Sequence, residues 1–564
     1  MSVHTEQHKE TKAQRIERLK REKNPWQCLD EILRFAKEGH EAIPKEWLDL
    51  YFRWWGVYTQ GDGQGVLGKD VPHFMVRIRI PNGLLRSHQL RTVADLAEKY
   101  GRGIGDLTVR QNIQLHWVRI EDMPDIFSNL FRVGLTTMAS CGDDTRNITG
   151  CPLAGVDRDE VYDASGLVEE ATNQLIGRAD TYNLPRKYKI CITGCRVWCS
   201  YPEINDVGLT ATERWRDGQK EIGFSLRVGG GLSTEPHFAV PLDAFVYPHQ
   251  VPSVVEGITQ LFHDSDVLRE NRAKARLKFL FLEHGWTAER FQAELERRIG
   301  FQLEPGVPEE APDHAYRDHV GIHPQKQEDY YYAGFSILRG RLTAAEMRLA
   351  ADLADQYGDG QLRTTNMQNL VVLNLPKRHV DAVVRQVDGT GLKLEASPFW
   401  RGTIACTGTE FCKVAIAETK SFARWLVEEL DERLPGFDRH IKINVNGCPN
   451  SCGQLWIADI GLQGCKTKVE ERLLDAFDFL LGGNVGKGAT FTRRVGFRTL
   501  AGKVPDAIER LLWAYLNLRL NGEKFHAFCQ RHSDEQLRTF LAGGKTAAVA
   551  APAAPSRPPH GVEG

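Results

Sequence analysis

The feature that most constrains this 564-residue chain is that its pattern occurs twice. VRIRIPNGLLRSHQLRTVADLAEKYGRGIGDLTVRQNIQLHWV from Val76 is echoed by FSILRGRLTAAEMRLAADLADQYGDGQLRTTNMQNLVVLNL from Phe335. Each stretch reads as an apolar alternating run, a glycine turn, a helix-period segment ending in L-A-x-x-Y-G and a second strand-like run. The echo continues in KYKICITGCRVWCSYPEINDVGL at 187–209 and HIKINVNGCPNSCGQLWIADIGL at 440–462. Glycine-rich segments follow in both halves, VGGGLS from Val228 and LLGGNVGKG from Leu480. The fold class is therefore α+β with α/β units, built from two related halves, and ligands commonly sit at such internal interfaces.

Two stretches fall outside the repeat. LEPGVPEEAPDHAYRDHVGIHPQKQE at 303–328, rich in proline and charge, links the halves. From about 543, GGKTAAVAAPAAPSRPPHGVEG offers no pattern to bury and predicts disorder. The start, MSVHTEQHKETKAQRIERLKREK, lacks the apolar core of a signal peptide and reads as a solvated, partly helical arm. No run approaches the roughly 18 apolar residues of a membrane helix. A formal net charge of −2 provides no global field for nucleic acid or an anionic membrane. A cytoplasmic protein is expected, and its 12 cysteines then point to metal or redox chemistry rather than a disulfide framework.

The cysteines are unevenly placed. ACTGTEFC gives Cys406 and Cys412 as C-x5-C, and NGCPNSC gives Cys448 and Cys452 as C-x3-C. Two thiolate pairs suit a tetrahedral zinc ion or a [4Fe–4S] cluster, though C-x5-C is wide for zinc. In the first half Cys195 and Cys199 repeat the C-x3-C spacing, and Cys141 or Cys151 could complete a quartet. The counterpart of ACTGTEFC there is RNITGCPLAG, which lacks a matched second cysteine. The complete set thus lies in the second half, and core-lining free thiols are the simpler reading of Cys191, Cys195 and Cys199.

The repeated halves, C-x5-C with C-x3-C, and the segments VRIRIPNG, VRQNIQLH, TRNITG and LPRKYK resemble the sirohaem nitrite/sulfite reductase family over roughly residues 25 to 540. The resemblance implies a polar arm at 1–24, a first ferredoxin-like half-domain with a helical extension at 25–135, and a first sirohaem-binding unit at 136–305. A linker at 306–328 leads to a second half-domain at 329–395, a [4Fe–4S]/sirohaem unit at 396–542 and the tail at 543–564. It also implies a cluster held by Cys406, Cys412, Cys448 and Cys452, with the Cys452 sulfur bridging to the haem iron. In that loop Asn446, Gly447 and Asn450 are residue types that tolerate unusual backbone angles and donate to sulfur.

Sirohaem carries eight carboxylates and its open face must hold a small oxyanion, so guanidinium and ammonium groups are required. The resemblance assigns the substrate face to Arg77, Arg146, Lys187 and Lys189. It makes Arg110, Gln114, His116 and Asn147 cofactor contacts, and marks Tyr58 and Cys151 as candidates for a side-chain crosslink. Arg77 and Arg79 alternate with Val76, Ile78 and Ile80, so both are expected on one face, either solvent or a charged cavity.

The implied reaction is the six-electron reduction of nitrite to ammonia or of sulfite to sulfide. Lys189 stands where plant and cyanobacterial nitrite reductases have asparagine, and an extra ammonium favours the sulfite dianion. W-G-V-Y-T-Q and the whole-chain pattern favour nitrite, narrowly. GDGQG at 61–65 and GGNVGKG at 482–488 are not phosphate-binding patterns, since Gly488 follows Lys487. The latter loop is expected near cofactor carboxylates. Electrons are then expected from a separate ferredoxin, and a monomer is expected. Two rivals are a non-catalytic iron–sulfur or zinc protein, and a relative in corrin biosynthesis sharing the repeat.

Overall fold

The computed structural model describes residues 10–61, 72–178, 180–313 and 316–543. The first nine residues of the arm, most of GDGQG and the Ala/Pro tail from 544 lie outside the described residues.

Each strand–helix–strand repeat forms an antiparallel sheet backed by a helix. In the first, Phe74–Ile78 pairs with Ile113–Val118, which pairs with Ile104–Leu107, and the helix Ser87–Tyr100 covers one face. In the second, Tyr330–Phe335, Leu370–Pro376 and Gln361–Thr364 follow the same order, backed by Ala344–Tyr357. The halves also exchange their edges. Arg341–Thr343 of the second half pairs with Ile104–Leu107 of the first, and Leu84–Arg86 of the first pairs with Gln361–Thr364 of the second. The edges of Ile104–Leu107 and Gln361–Thr364 are thereby covered, which removes them as templates for mispairing.

The two helices lie against each other with reciprocal ion pairs. Arg91 reaches Asp352 at 2.7 Å and Asp355 at 2.6 Å, while Arg348 reaches Asp95 at 2.8 Å and also Glu98. Beneath them a single apolar core runs from Cys28 through Ile78, Leu90 and Leu115 to Phe335, Met347 and Val372. The two half-domains are therefore one packed module.

Each cysteine-bearing unit is a sheet with a parallel start and an antiparallel end. Ile190–Thr193 runs parallel to Val207–Arg216, which turns into Gln219–Val228 and Val240–Val246. Its counterpart is Thr403–Ala405, Ile443–Asn446, Ile460–Val469, Arg472–Leu481 and Arg493–Leu500. The cysteine loops leave the C-terminal ends of the parallel strands, where side chains of successive loops can converge on a ligand.

Two sequence expectations change here. The helix Lys12–Glu22, capped by Thr11 and Gln14, is docked rather than solvated. Lys20 is fully buried, donating to the Leu184 carbonyl at 2.9 Å and pairing with Glu17 at 2.6 Å. Glu17 meets Arg269 at 2.6 Å and Asp143 meets Arg272 at 2.6 Å. Burying a lysine requires such opposite charges: Glu17 lies one turn away on the same helix, and Asp143, 3.8 Å from Lys20, comes from a segment distant in sequence. Likewise Gly321–Pro324 pairs with Tyr330–Phe335, so the second sheet begins inside the stretch read as linker.

Candidate active site

The C-x5-C and C-x3-C loops face each other because Thr403–Ala405 and Ile443–Asn446 are adjacent parallel strands. The Cys406 amide donates to the Val445 carbonyl at 3.0 Å, and the Gly447 amide donates to Cys406 Sγ at 3.2 Å. A Cβ on Gly447 would lie 2.7 Å from the Ala417 carbonyl, so only glycine allows this approach. The left-handed residues of the loop are Ser451 and Gln454, not the asparagines singled out from the sequence. Asn446 instead accepts from the Gly453 amide at 2.7 Å, closing the loop.

The four thiols share one site. Burial and nearby Cys452 push Cys406 up to about 12, and the same two causes push Cys412 up to about 11. Cys448 is also raised, chiefly by burial. Four thiolates cannot coexist here without cationic metal among them, which is the electrostatic condition an iron–sulfur cluster satisfies. Cys452 is the exposed member, while Cys448 is buried.

Cys452 lies beside Lys187, one of a set of half-buried cations from the first half. Burial pushes the Lys187 ammonium down to about 8, against the pull of Cys452, with Arg276, Arg186 and Arg146 lowering it further. Burial, Arg276, Arg110 and Lys187 push Lys189 well down. Arg110 is pushed down to about 9 by burial, and it donates to Asn205 Oδ1 at 2.8 Å and the Ile190 carbonyl at 3.1 Å. Asn147 donates to the carbonyls of Ile80 at 2.7 Å and Arg110 at 2.9 Å. Its buried Oδ1 has no hydrogen-bond partner.

Arg77 and Arg146 meet at one loop: both donate to the Ser140 carbonyl, at 3.2 and 3.3 Å. Arg77 also reaches Cys141 Sγ at 3.2 Å, and Arg146 holds the Gly142 carbonyl at 2.8 Å. The Tyr58 ring lies 5.9 Å from the Arg77 guanidinium and 5.2 Å from that of Arg53. Arg276 and Lys278, which no sequence pattern flagged, complete the cationic set. Arg276 grips Asp206 at 2.7 and 3.0 Å, and Lys278 donates to the Leu232 carbonyl at 3.0 Å. The VGGGLS segment makes room for them, since a Cβ on Gly231 would lie 2.8 Å from Arg276 Nη2.

Arg79 does not share the cavity. It is fully buried and donates to the Met138 carbonyl at 3.1 Å and that of Ala139 at 2.7 Å, pinning the loop that carries Arg146. His116 packs against the cluster loop. Its Nδ1 pairs with Gln60 at 3.1 Å, its Nε2 stands 3.2 Å from Asp106, and its ring stacks on Phe411 at 4.0 Å. Phe411 precedes Cys412, so His116 braces the cluster loop. Gln114, buried on the same strand, donates to Met75 Sδ at 3.3 Å.

The Tyr58–Cys151 pairing is corrected. Cys151 packs in a separate cluster with Cys195 and Cys199, while the thiol sharing Tyr58's partners Arg77 and Arg146 is Cys141. The Gly486–Lys487 turn is also not free for carboxylates: Gly486 donates to Glu203 at 2.8 Å, and Lys487 pairs with Asp313 at 3.1 Å.

A model of the nitrite and sulphite reductase 4Fe-4S domain matches residues 141–303 and 397–542. The nitrite/sulfite reductase ferredoxin-like half domain matches 67–131 and 323–388. The chain belongs to the nitrite and sulfite reductase family. It is 37% identical to an assimilatory ferredoxin-dependent nitrite reductase of Haloferax mediterranei, over 91% of this chain and 90% of that one. It is also 37% identical to sulfite reductase [ferredoxin] 1 of Mycolicibacterium paratuberculosis, covering 93% and 95%. The solved structure of the Mycobacterium tuberculosis NirA protein superposes with a TM-score of 0.87 at 36% identity, covering 93% of this chain and 97% of that one. As a member of this family the reductase is an oxidoreductase that uses a [4Fe–4S] cluster and sirohaem. No helix among its described residues is long and apolar enough to cross a membrane.

Proposed function

We propose that the reductase takes electrons from ferredoxin and reduces nitrite to ammonia, with sirohaem and the cluster as its redox groups. The observation that carries this reading is the half-buried cationic set of Arg77, Arg146, Lys187 and Lys189, in which Lys187 lies beside the thiol Cys452. Cys406, Cys412, Cys448 and Cys452 would hold the cluster, with Cys452 the exposed thiol of the four. Arg110, Asn147, Arg276 and Lys278 would meet the sirohaem carboxylates, and the unpaired Asn147 Oδ1 would accept from a cofactor or water donor. When bound, sirohaem coupled to the cluster supplies the electron-transfer chemistry of a six-electron reduction.

The protein's own part is to hold an anion and to provide protons. Arg77 and Arg146 are fixed by carbonyls of one loop, so they can bind a small oxyanion without reordering. Lys187, pushed down to about 8, keeps most of its protons at neutral pH yet releases them readily, which suits a general acid. The relative from Haloferax is named for nitrite and ferredoxin, and that name supports the assignment.

Lys189 favours a second reading, sulfite, because a second ammonium beside Lys187 fits a dianion. Initial rates with reduced ferredoxin on nitrite and on sulfite, for the wild type and Lys189→Asn, separate the two. Faster nitrite turnover in the wild type, with Lys189→Asn depressing sulfite turnover more, supports nitrite. A wild-type preference for sulfite overturns it.

A further inference from the structure

The first half carries a quartet that the nitrite and sulfite chemistry does not use. Its C-x3-C loop keeps the shape of its counterpart: Trp198 and Tyr201 are left-handed where Ser451 and Gln454 are. Strand register extends the correspondence. Thr149 bridges Cys191 in parallel as Ile404 pairs with Asn444, and KICITGC aligns Cys191 with Asn444 of KINVNGC. Thr149 thus occupies the place of Ile404, Cys151 that of Cys406, and, at the same x5 spacing, Asp157 that of Cys412. Three of the four cluster-ligand positions keep a thiol, and the fourth is a carboxylate.

This quartet is drawn tighter than the one it echoes. The Cys151 and Cys199 sulfurs and a His319 ring nitrogen lie within 4.8 Å of one another, as do the ligand atoms of Cys151, Cys195 and Asp157. Among the described residues, Cys406, Cys412, Cys448 and Cys452 form no such group. A tetrahedral ion with bonds of about 2.3 Å to sulfur holds its sulfurs roughly 3.8 Å apart, so the spacing within each of these two trios, which share Cys151, suits one ion. Accessibility agrees, since Cys151, Cys195 and Cys199 are 2 to 3% exposed, against an open second-half site where Cys452 is exposed.

The remaining ligand comes from the chain joining the halves. His319 is 3% exposed, and neither ring nitrogen has a hydrogen-bond partner. A buried imidazole with both nitrogens unsatisfied is costly unless something binds it. Asp157 is instead engaged by Arg317 at 2.8 and 2.9 Å, which places a guanidinium beside the thiols as their counter-charge. A cleft of about 670 Å³, lined by Arg317, His319, Asp159 and Tyr332, offers a way in.

We propose that Cys151, Cys195, Cys199 and His319 bind a single zinc ion, a structural site on the footprint of a duplicated cluster site. Binding releases the remaining thiol protons to solvent and transfers no electrons. The ion ties the 149–157 loop and the 195–199 loop of the first unit to the segment at His319. The cofactor centre keeps its own four cysteines, so the two sites are separable.

The test uses reduced, cofactor-loaded full-length protein, incubated with zinc sulfate and desalted. Elemental analysis should give about one zinc per chain, and zinc-edge X-ray absorption should show about three sulfurs near 2.3 Å and one nitrogen near 2.0 Å. His319→Ala and Cys199→Ser should lose most of the zinc while the sirohaem and cluster spectra persist. If these variants fail to fold, release of one zinc from wild type on thiol modification gives the same answer. Less than a tenth of a zinc per chain, with the three thiols free, would overturn the proposal. So would zinc retained in both variants, or a second iron–sulfur cluster in the Mössbauer spectrum.

Discussion

Replacing Lys187 is the most direct probe of proton supply. Its ammonium falls from 10.5 to about 8, first through burial and then through Arg276, Arg186 and Arg146. At 1.36 kcal/mol per pH unit, that fall is about 3 kcal/mol in favour of releasing the proton. Carboxylates of a bound cofactor act the other way, so the ammonium should titrate between about 8 and an ordinary lysine value near 10.4. Turnover should therefore be level below about pH 8 and fall as pH rises through that window. Lys187→Gln should lower kcat by roughly 10²- to 10⁴-fold and abolish that alkaline limb. Lys187→Arg keeps the charge but holds its proton too tightly, so it should restore KM far better than kcat. The assay is initial rate with reduced ferredoxin and saturating nitrite from pH 6.5 to 10, with cofactor content measured for each variant. A fully loaded Lys187→Gln protein retaining both its rate and the wild-type limb would refute the argument.

Three further outcomes follow from other parts of the molecule. Cys452→Ser should keep Cys406, Cys412 and Cys448 in place yet uncouple the cluster from the haem, so spectra recorded on reduction should show two independent centres and turnover should collapse. Arg341 joins Asp106 at 2.8 and 3.0 Å to Glu410 at 2.9 and 3.0 Å, inside the cluster loop. Arg341→Met, which strands two partly desolvated carboxylates, should destabilise by about 3–5 kcal/mol, seen as a lower Tm and faster loss of cluster absorbance. Burial raises the Asp144 carboxyl to about 7, against the Thr145 amide that donates to it at 2.7 Å and the nearby Arg79 and Arg146. Because folding raises this group above its unfolded value, its contribution is complete below about pH 4 and is lost as pH rises through 7, by up to about 4 kcal/mol. Asp144→Asn should therefore raise Tm more at pH 8 than at pH 5; an equal change at both would contradict the assignment.

The repeat, the complete cysteine set and the basic motifs were readable because each is a local pattern. Arg77 and Arg146 lie within short recurring segments, and Cys448 and Cys452 declare themselves by spacing. What escaped depends on register or on distant partners. Arg276 and Lys278 sit in NRAKARLKFL, where nothing local separates them from solvated charges. Lys20 looked like one more exposed lysine, and only Glu17, Asp143 and the Leu184 carbonyl make its burial tolerable. His116 fell within a recognised motif, but its contacts with Asp106, Gln60 and Phe411 come from other segments and are not written in that motif. Asp157 could be matched with Cys412 only after the bridge from Thr149 to Cys191 had fixed the alignment.

The exchanged edge strands have a consequence for how such a chain can be cut or assembled. Arg341 pairs with Asp106 and Leu362 with Leu85, so each sheet closes only when residues more than two hundred positions away arrive. Contacts of that range form late, after the entropy of a long loop has been met, and neither half made alone could complete its own sheet. Expressed separately, the halves should each present a naked strand edge and aggregate; expressed together, they should find each other and reconstitute one body. Gene duplication here did not yield two modules joined by a tether. It yielded a heterodimer whose subunits happen to share a backbone, with assembly written into a single act of folding.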